Sequence, residues 1–324
     1  QTTVPDPRRM IDLKNRLLSI ALVVALALPA AFAAQQPQAA QPAAAAARQA
    51  LLWKVSDADN SVYLLGSFHL LKQDDYPLPK EIDAAFEDAE SLVFEVDPRE
   101  MTAPDTMATI QKYAAYDAGK SLSTVLPKAT HDKLGNLMSA SGGSVQALEQ
   151  SEPWMVSLSL LLGITNALGF KADLGMDRHL MARAAEAGKP TAGLETIDDQ
   201  MKAMDSVPHA EQAQGLEEFL EDPKQAVQQL QDMHDWWRAG DVARLDSDMR
   251  AEMARKSPES YRLLDVERNK AWLPKVEARL KDSKADDTLV VVGSLHLLGA
   301  DGLVEKLRAK GYAVERVCEG CEGK

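Results

Sequence analysis

Cysteine is nearly absent from this chain: of 324 residues only Cys318 and Cys321 carry thiols, both in the terminal "CEGCEGK". A thiol nucleophile in the body of the protein is thereby excluded. A zinc site on this pair would need two further ligands, and none lies nearby in sequence. In an oxidising compartment, a C-x-x-C pair so near a chain end reads as a local disulfide. Excess positive charge is missing too. Lys and Arg total 36 against 49 Asp and Glu, a net charge of -13, whereas a nucleic-acid partner calls for a cationic surface that neutralises phosphates. No G-x-G-x-x-G or G-x-x-x-x-G-K-[ST] cradle for nucleotide phosphates occurs, and no G-x-S-x-G nucleophile elbow. Ser67 and Ser294 show no base arranged beside them. The most apolar internal stretch, "SEPWMVSLSLLLGITNALGF", is interrupted by Ser, Thr, Asn and Gly, so it reads as a buried helix and not a membrane span.

The N-terminal region has the marks of a targeting segment. Lys14 and Arg16 precede an apolar run from Leu17 to Leu28, and Ala31 and Ala33 fit an A-x-A cleavage site. The run is shorter than the about 20 residues that a bilayer span requires, and no cysteine follows it to carry a lipid. Residues 10–34 are therefore expected to be a cleaved secretory signal starting at Met10, with no transmembrane anchor afterwards and a periplasmic or secreted product. The Ala, Gln and Pro-rich stretch 35–49 reads as a linker. A single domain over 50–317 and a tail at 318–324 complete the expected organisation.

Six short apolar runs bounded by breakers read as strands: 51–57, 61–67, 91–97, 190–196, 288–294 and 312–317. The first two, separated by "ADN", form a hairpin pattern. Helical patterns such as "PKEIDAAFEDAE" and "DGLVEKLRAKG" lie between the others. This alternation predicts an α/β fold with a mostly parallel central sheet, an edge hairpin and flanking helices. A large helical insertion is expected over about 104–285, with Pro274 kinking its last helix.

Two segments repeat one message. "VYLLGSFHLL" (62–71) and "LVVVGSLHLL" (289–298) each run as a strand into Gly-Ser, then an apolar residue, then a histidine. Parallel strands present their C-terminal ends at one sheet edge, where ligands bind in open α/β folds. His69 and His296 should both arrive there, with Gly66 and Gly293 allowing a sharp turn or a close approach. Glu95 ends "SLVFE" and Glu195 ends "TAGLE", so carboxylates reach the same edge. A lone G-x-x-H is most simply a strand cap. The paired motif with Glu95 makes a divalent-metal site on His69, His296 and Glu95, with Mn, Co, Fe or Zn all compatible, and such a metal would activate a bound water. Glu95 or Glu195 would serve as base. Arg268 and Asn269, in "DVERNKAW", lie on a helix whose periodicity by itself says solvated face; Arg268 could instead pair with Glu95 or hold an oxyanion. Asp177 is either a helix N-cap or an active-site group, and His179 beside it is ambiguous. His131, His209 and His234 read as packing or surface residues.

The quoted motifs, together with "LGMDRHLMARAAEAGKPTAGLET" and "ERNKAW", resemble the TraB/PrgY/GumN family over about residues 50–317. That resemblance implies an α/β core with a helical insertion and an active site of His69, Glu95, Arg268, Asn269 and His296, with Glu195 on a recurring family position. The family shares its paired G-x-x-H plus glutamate pattern with the Tiki proteins, described as metal-dependent proteases acting on Wnt, and is related to erythromycin esterase-like and ChaN-like proteins. The expectation is an exported metal-dependent hydrolase acting on a peptide or small-molecule substrate. The alternatives are a protein that sequesters a peptide, haem or metal without turnover, or an accessory factor in polysaccharide biosynthesis.

Overall fold

The computed structural model describes residues 48–282 and 286–319. The expected targeting segment, most of the linker and Cys321 lie outside them, and with Cys321 the expected disulfide. The packed chain begins slightly before the expected boundary. Arg48 Nη1 donates to the Asp75 carbonyl at 3.0 Å and Gln49 N to the Arg238 carbonyl at 3.0 Å.

Six strands form one sheet: β1 (Leu52–Ser56), β2 (Ser61–Ser67), β3 (Ser91–Val96), β4 (Thr191–Glu195), β5 (Thr288–Gly293) and β6 (Ala313–Arg316), in the order β4-β3-β5-β2-β1-β6. β4, β3, β5 and β2 run parallel to one another. β1 is antiparallel to both β2 and β6. Composition explains these positions. β2 and β5 are buried along their whole length, as continuous apolar runs must be when helices cover both faces. β6 alternates exposed and half-buried residues, the pattern of an edge strand. One detail of the expected fold is corrected: the β1–β2 hairpin is not at the edge. β6 pairs with β1 and covers it, because the helix Leu303–Ala309 that follows β5 returns the chain past β2 to the free side of β1. The hairpin turn itself is made by Asp57, whose Oδ1 accepts from Asp59 N and Asn60 N.

Between β3 and β5 the chain is helical except for β4, which pairs with β3. The insertion carries two apolar clusters of its own. One is centred on Trp154, Met201 and Leu264, the other on Leu122, Leu134 and Leu216. The apolar stretch read as a buried helix forms Pro153–Ala167. No helix among the described residues is long and apolar enough to cross a membrane. Pro274 lies inside the helix Glu267–Asp282.

Candidate active site

Four adjacent parallel strands end at one rim and each delivers a functional side chain. In spatial order these are Glu195 at the end of β4, Glu95 in β3, His296 in the turn after β5, and His69 just after β2. Neighbouring strands are only about 4.8 Å apart, so strand order alone gathers the group. Gly293 marks its centre. A Cβ on Gly293 would lie 3.2 Å from Glu95 Oε1, 3.4 Å from His69 Nε2 and 3.6 Å from His296 Cδ2. Its backbone is an ordinary extended one, with φ -53° and ψ 137°. The glycine is therefore needed for room and not for a turn. The same holds for Gly66, where a Cβ would meet Ser294 Cα at 3.2 Å.

His69 and Glu95 face a cleft whose apolar walls are Phe94, Val96, Met101, Met181 and Ile197. His69 Nδ1 donates to Asp177 Oδ2 at 2.7 Å, and Asp177 Oδ1 accepts from Ser67 Oγ at 2.7 Å. Gly175 lets the helix Met176–Ala187 come this close, since a Cβ there would overlap the His69 carbonyl. Burial pushes the His69 ring down, but the charge and hydrogen bond of Asp177 outweigh it and raise the ring to about 9. Glu95 Oε1 accepts from Gly293 N at 2.7 Å; Oε2 accepts from Arg268 Nη2 at 2.6 Å and Gln200 Nε2 at 3.3 Å. Burial pushes Glu95 up, yet Arg268 and the two histidines hold it near 2.

Behind Glu95 lies a buried arginine core. Arg268 is 5% exposed and Asn269 0%. Arg268 Nε and Nη2 grip Glu195 at 2.6 to 3.1 Å, and Nη1 donates to the Leu264 carbonyl at 3.0 Å and His296 Nε2 at 3.1 Å. All five N–H donors of the guanidinium are thereby used. Trp272, one turn along, donates Nε1 to Glu195 Oε2 at 3.1 Å and lies under both the guanidinium and the His296 ring. A π-turn over Arg262–Val266 precedes this helix. There the Leu264 carbonyl takes a side-chain donor, as befits the wider geometry that π-turns bring to functional sites. His296 Nδ1 donates to Asn269 Oδ1 at 2.8 Å. Burial, then Arg268, push this ring down to about 3, so it is neutral. Burial raises Glu195 despite Arg268, and raises the Asp265 carboxyl to about 8.

This placement divides the expected site residues. His69 and Glu95 reach the cleft. Arg268, Asn269, Glu195 and His296 lie behind Glu95 and are absent from the cleft wall. Arg268, expected to hold an oxyanion, spends its donors inward on Glu195, Glu95, the Leu264 carbonyl and His296. Glu195, expected as a base, has both oxygens held by Arg268 and Trp272.

The expected metal ion meets a similar obstacle. His69 Nε2 and the Glu95 carboxylate are two donors, but His296 Nε2 already faces the guanidinium, and a divalent cation shared by all three would lie against that positive charge. As arranged, the three residues do not fit such an ion. Among the described residues there is no cluster of three or more His, Cys, Asp or Glu arranged for one. His131, His209 and His234 pair with Glu149, Glu152 and Asp75 at 2.6, 2.7 and 2.9 Å. His179 stacks edge-on to Tyr76. Sequence reasoning missed Gln200, Asp265 and Trp272; for Trp272 the signal was its i+4 spacing from Arg268.

The description "TraB/PrgY/gumN family" belongs to the family model that matches residues 51–316. The chain belongs to this family. Its curated relatives include proteins called "Uncharacterized protein YbaP" from Escherichia coli (strain K12) and Shigella flexneri. Each is 25% identical over 246 residues, covering 76% of this chain and 87% of the relative. No solved structure matches. The family match spans every strand of the sheet and all of the residues that meet at its rim, so the site described above belongs to the shared part of the chain.

Proposed function

We propose that this protein is an exported hydrolase of peptide-like bonds that works with its own acid and base groups. The supporting observation is the convergence of His69 Nε2 and Glu95 Oε1 beside Gly293, on the floor of an apolar-walled cleft. At neutral pH His69 carries its proton and Glu95 does not, which places an acid and a carboxylate on one substrate. Glu95 orients a water and takes its proton as the water oxygen bonds to the carbonyl carbon. His69 Nε2–H protonates the leaving atom as the old bond breaks, and the proton on Glu95 then returns to His69. A carboxylate held near 2 is a weak base, so the step relies on orientation more than on basicity. The apolar walls favour substrates with an apolar side chain next to the cleaved bond.

The test is turnover of an unfolded polypeptide by chain purified with chelator and by chain purified without it. The expected result is cleavage in both, lost in His69→Ala and Glu95→Gln, and falling above about pH 9 as His69 loses its proton. Stoichiometric Mn, Co, Fe or Zn in the chelator-free preparation, with activity only there, would overturn the metal-free reading. A second reading draws on the saturation of both Glu95 oxygens by three donors: a binding site that holds a peptide without cleaving it. Recovery of bound peptide intact, with no turnover under any condition, would favour it.

A further inference from the structure

The hydrogen-bond chain that fixes Glu95 starts from a carboxyl group outside the cleft. Asp265 is 0% exposed and stands on the π-turn Arg262–Val266. Its Oδ1 accepts from Asn269 Nδ2 at 2.9 Å, and Nδ2 gives its second hydrogen to the Asp301 carbonyl at 3.0 Å. With both amide hydrogens committed on that side, turning the amide over would set its oxygen against the Asp301 carbonyl and give up both of the Nδ2 contacts. Asn269 Oδ1 must then face His296 Nδ1, 2.8 Å away, and only a protonated Nδ1 satisfies it. A neutral ring protonated at Nδ1 keeps its lone pair on Nε2. That lone pair is what Arg268 Nη1 meets at 3.1 Å, while Nη2 of the same guanidinium reaches Glu95 at 2.6 Å.

We propose that Asp265 is a positioning residue: by fixing the Asn269 amide it acts with Arg268 to keep His296 in its Nδ1–H tautomer, and through His296 it steadies Arg268 on Glu95. The amide turns as one plane, so the Asp301 carbonyl alone opposes the turned form with a single contact; without a second contact some freedom to turn remains. Asp265 removes that freedom. The inference deepens the hydrolase reading by naming what holds its carboxylate, but its main readout is independent of turnover.

The experiment is nitrogen-15 NMR of histidine-labelled protein, with His296→Gln to identify the His296 signals. Wild type should show one neutral tautomer, protonated at Nδ1. Asp265→Ala should show mixed tautomers, with kcat reduced about tenfold or more and KM little changed, as a misplaced catalytic group requires. If Asp265→Ala does not fold, an exchange of donor and acceptor decides. Asn269→Asp alone sets two carboxyl groups face to face and should lower the melting temperature. D265N/N269D restores the donor and acceptor between the two side chains, though the Asp301 carbonyl then faces a carboxylate oxygen, so it should recover part of the melting temperature and a single tautomer. A wild-type His296 spectrum in Asp265→Ala, or a double variant no better than Asn269→Asp, would overturn the proposal. If no variant or wild type turns over any peptide while the tautomer shifts as stated, the hydrolase reading fails and the positioning role stands.

Discussion

His69 and His296 follow the same Gly-Ser-apolar step, yet their neighbours drive them apart. His69 finds the Asp177 carboxylate and rises to about 9 from 6.5; His296, fully buried and then set against a guanidinium, falls to about 3 from 6.5. Folding stability should record both shifts in metal-free protein. A raised folded value contributes stability that is complete below pH 6.5 and is lost as pH climbs toward 9. A lowered histidine value works the other way: below 6.5 the unfolded chain takes a proton that the buried ring refuses, so stability falls toward pH 3. Glu95, held near 2 against a normal 4.5, adds to the acid loss below 4.5. The Asp265 carboxyl, raised to about 8 from 3.8, pulls the other way, keeping a proton that the unfolded chain gives up above 3.8. Urea midpoints should therefore be nearly level between about pH 4.5 and 6.5 and fall on both sides, each unit of displacement counting for about 1.4 kcal/mol. Asp177→Asn should flatten the alkaline limb alone, and His296→Gln should soften the acid limb. A profile flat from pH 5 to 9 would contradict the His69 assignment.

At the scale of elements, the strands were legible because buried parallel strands must be short unbroken apolar runs, as "TLVVVG" and "SLVF" are. The rim was legible for the same reason. A strand that ends in Gly-Ser before a histidine, or breaks into a glutamate, announces its C-terminal end. The helix Glu267–Asp282 was not legible in this way. Its charged sequence reads as solvated, and nothing local reveals that Arg268 turns inward to two carboxylates delivered by strands 73 and 173 residues away. Asp265 was hidden by the π-turn, which changes the facing of residues that a regular helical period would assign. This dependence on distant partners makes Arg268 costly to remove. Arg268→Ala would leave Glu195 and Glu95 without their main cation, and loss of one partner from a buried ion pair costs about 3–5 kcal/mol. Arg268→Lys keeps the charge but cannot span Glu195, Glu95 and His296 from one flat fork. It should therefore fold while losing most of the activity. Denaturation midpoints and steady-state kinetics on the two variants check this; an active, stable Arg268→Ala would refute the arginine core.

Across the whole molecule, chemistry and fit come from different parts of the chain. The sheet supplies His69 and Glu95 from strand ends fixed by a large buried core. The opposite wall of the cleft comes from segments beyond β3: Met101 in the short turn after it, Met181 in the helix leading to β4, and Ile197 and Gln200 just past β4. Both methionines are only half-buried, and their flexible thioethers adapt to varied apolar shapes. Replacing either wall residue should therefore disturb affinity without disturbing the acid and the carboxylate. Met101→Ser or Met181→Ser removes apolar contact worth about 1–2 kcal/mol to a bound side chain, which is roughly a tenfold rise in KM for peptides with a large apolar residue beside the cleaved bond. kcat should stay near wild type, because no group that touches the reacting atoms has moved. Peptides with glycine at that position should show no difference between wild type and variant. If kcat falls instead while KM holds, the methionines support the reacting groups and the substrate side chain lies elsewhere.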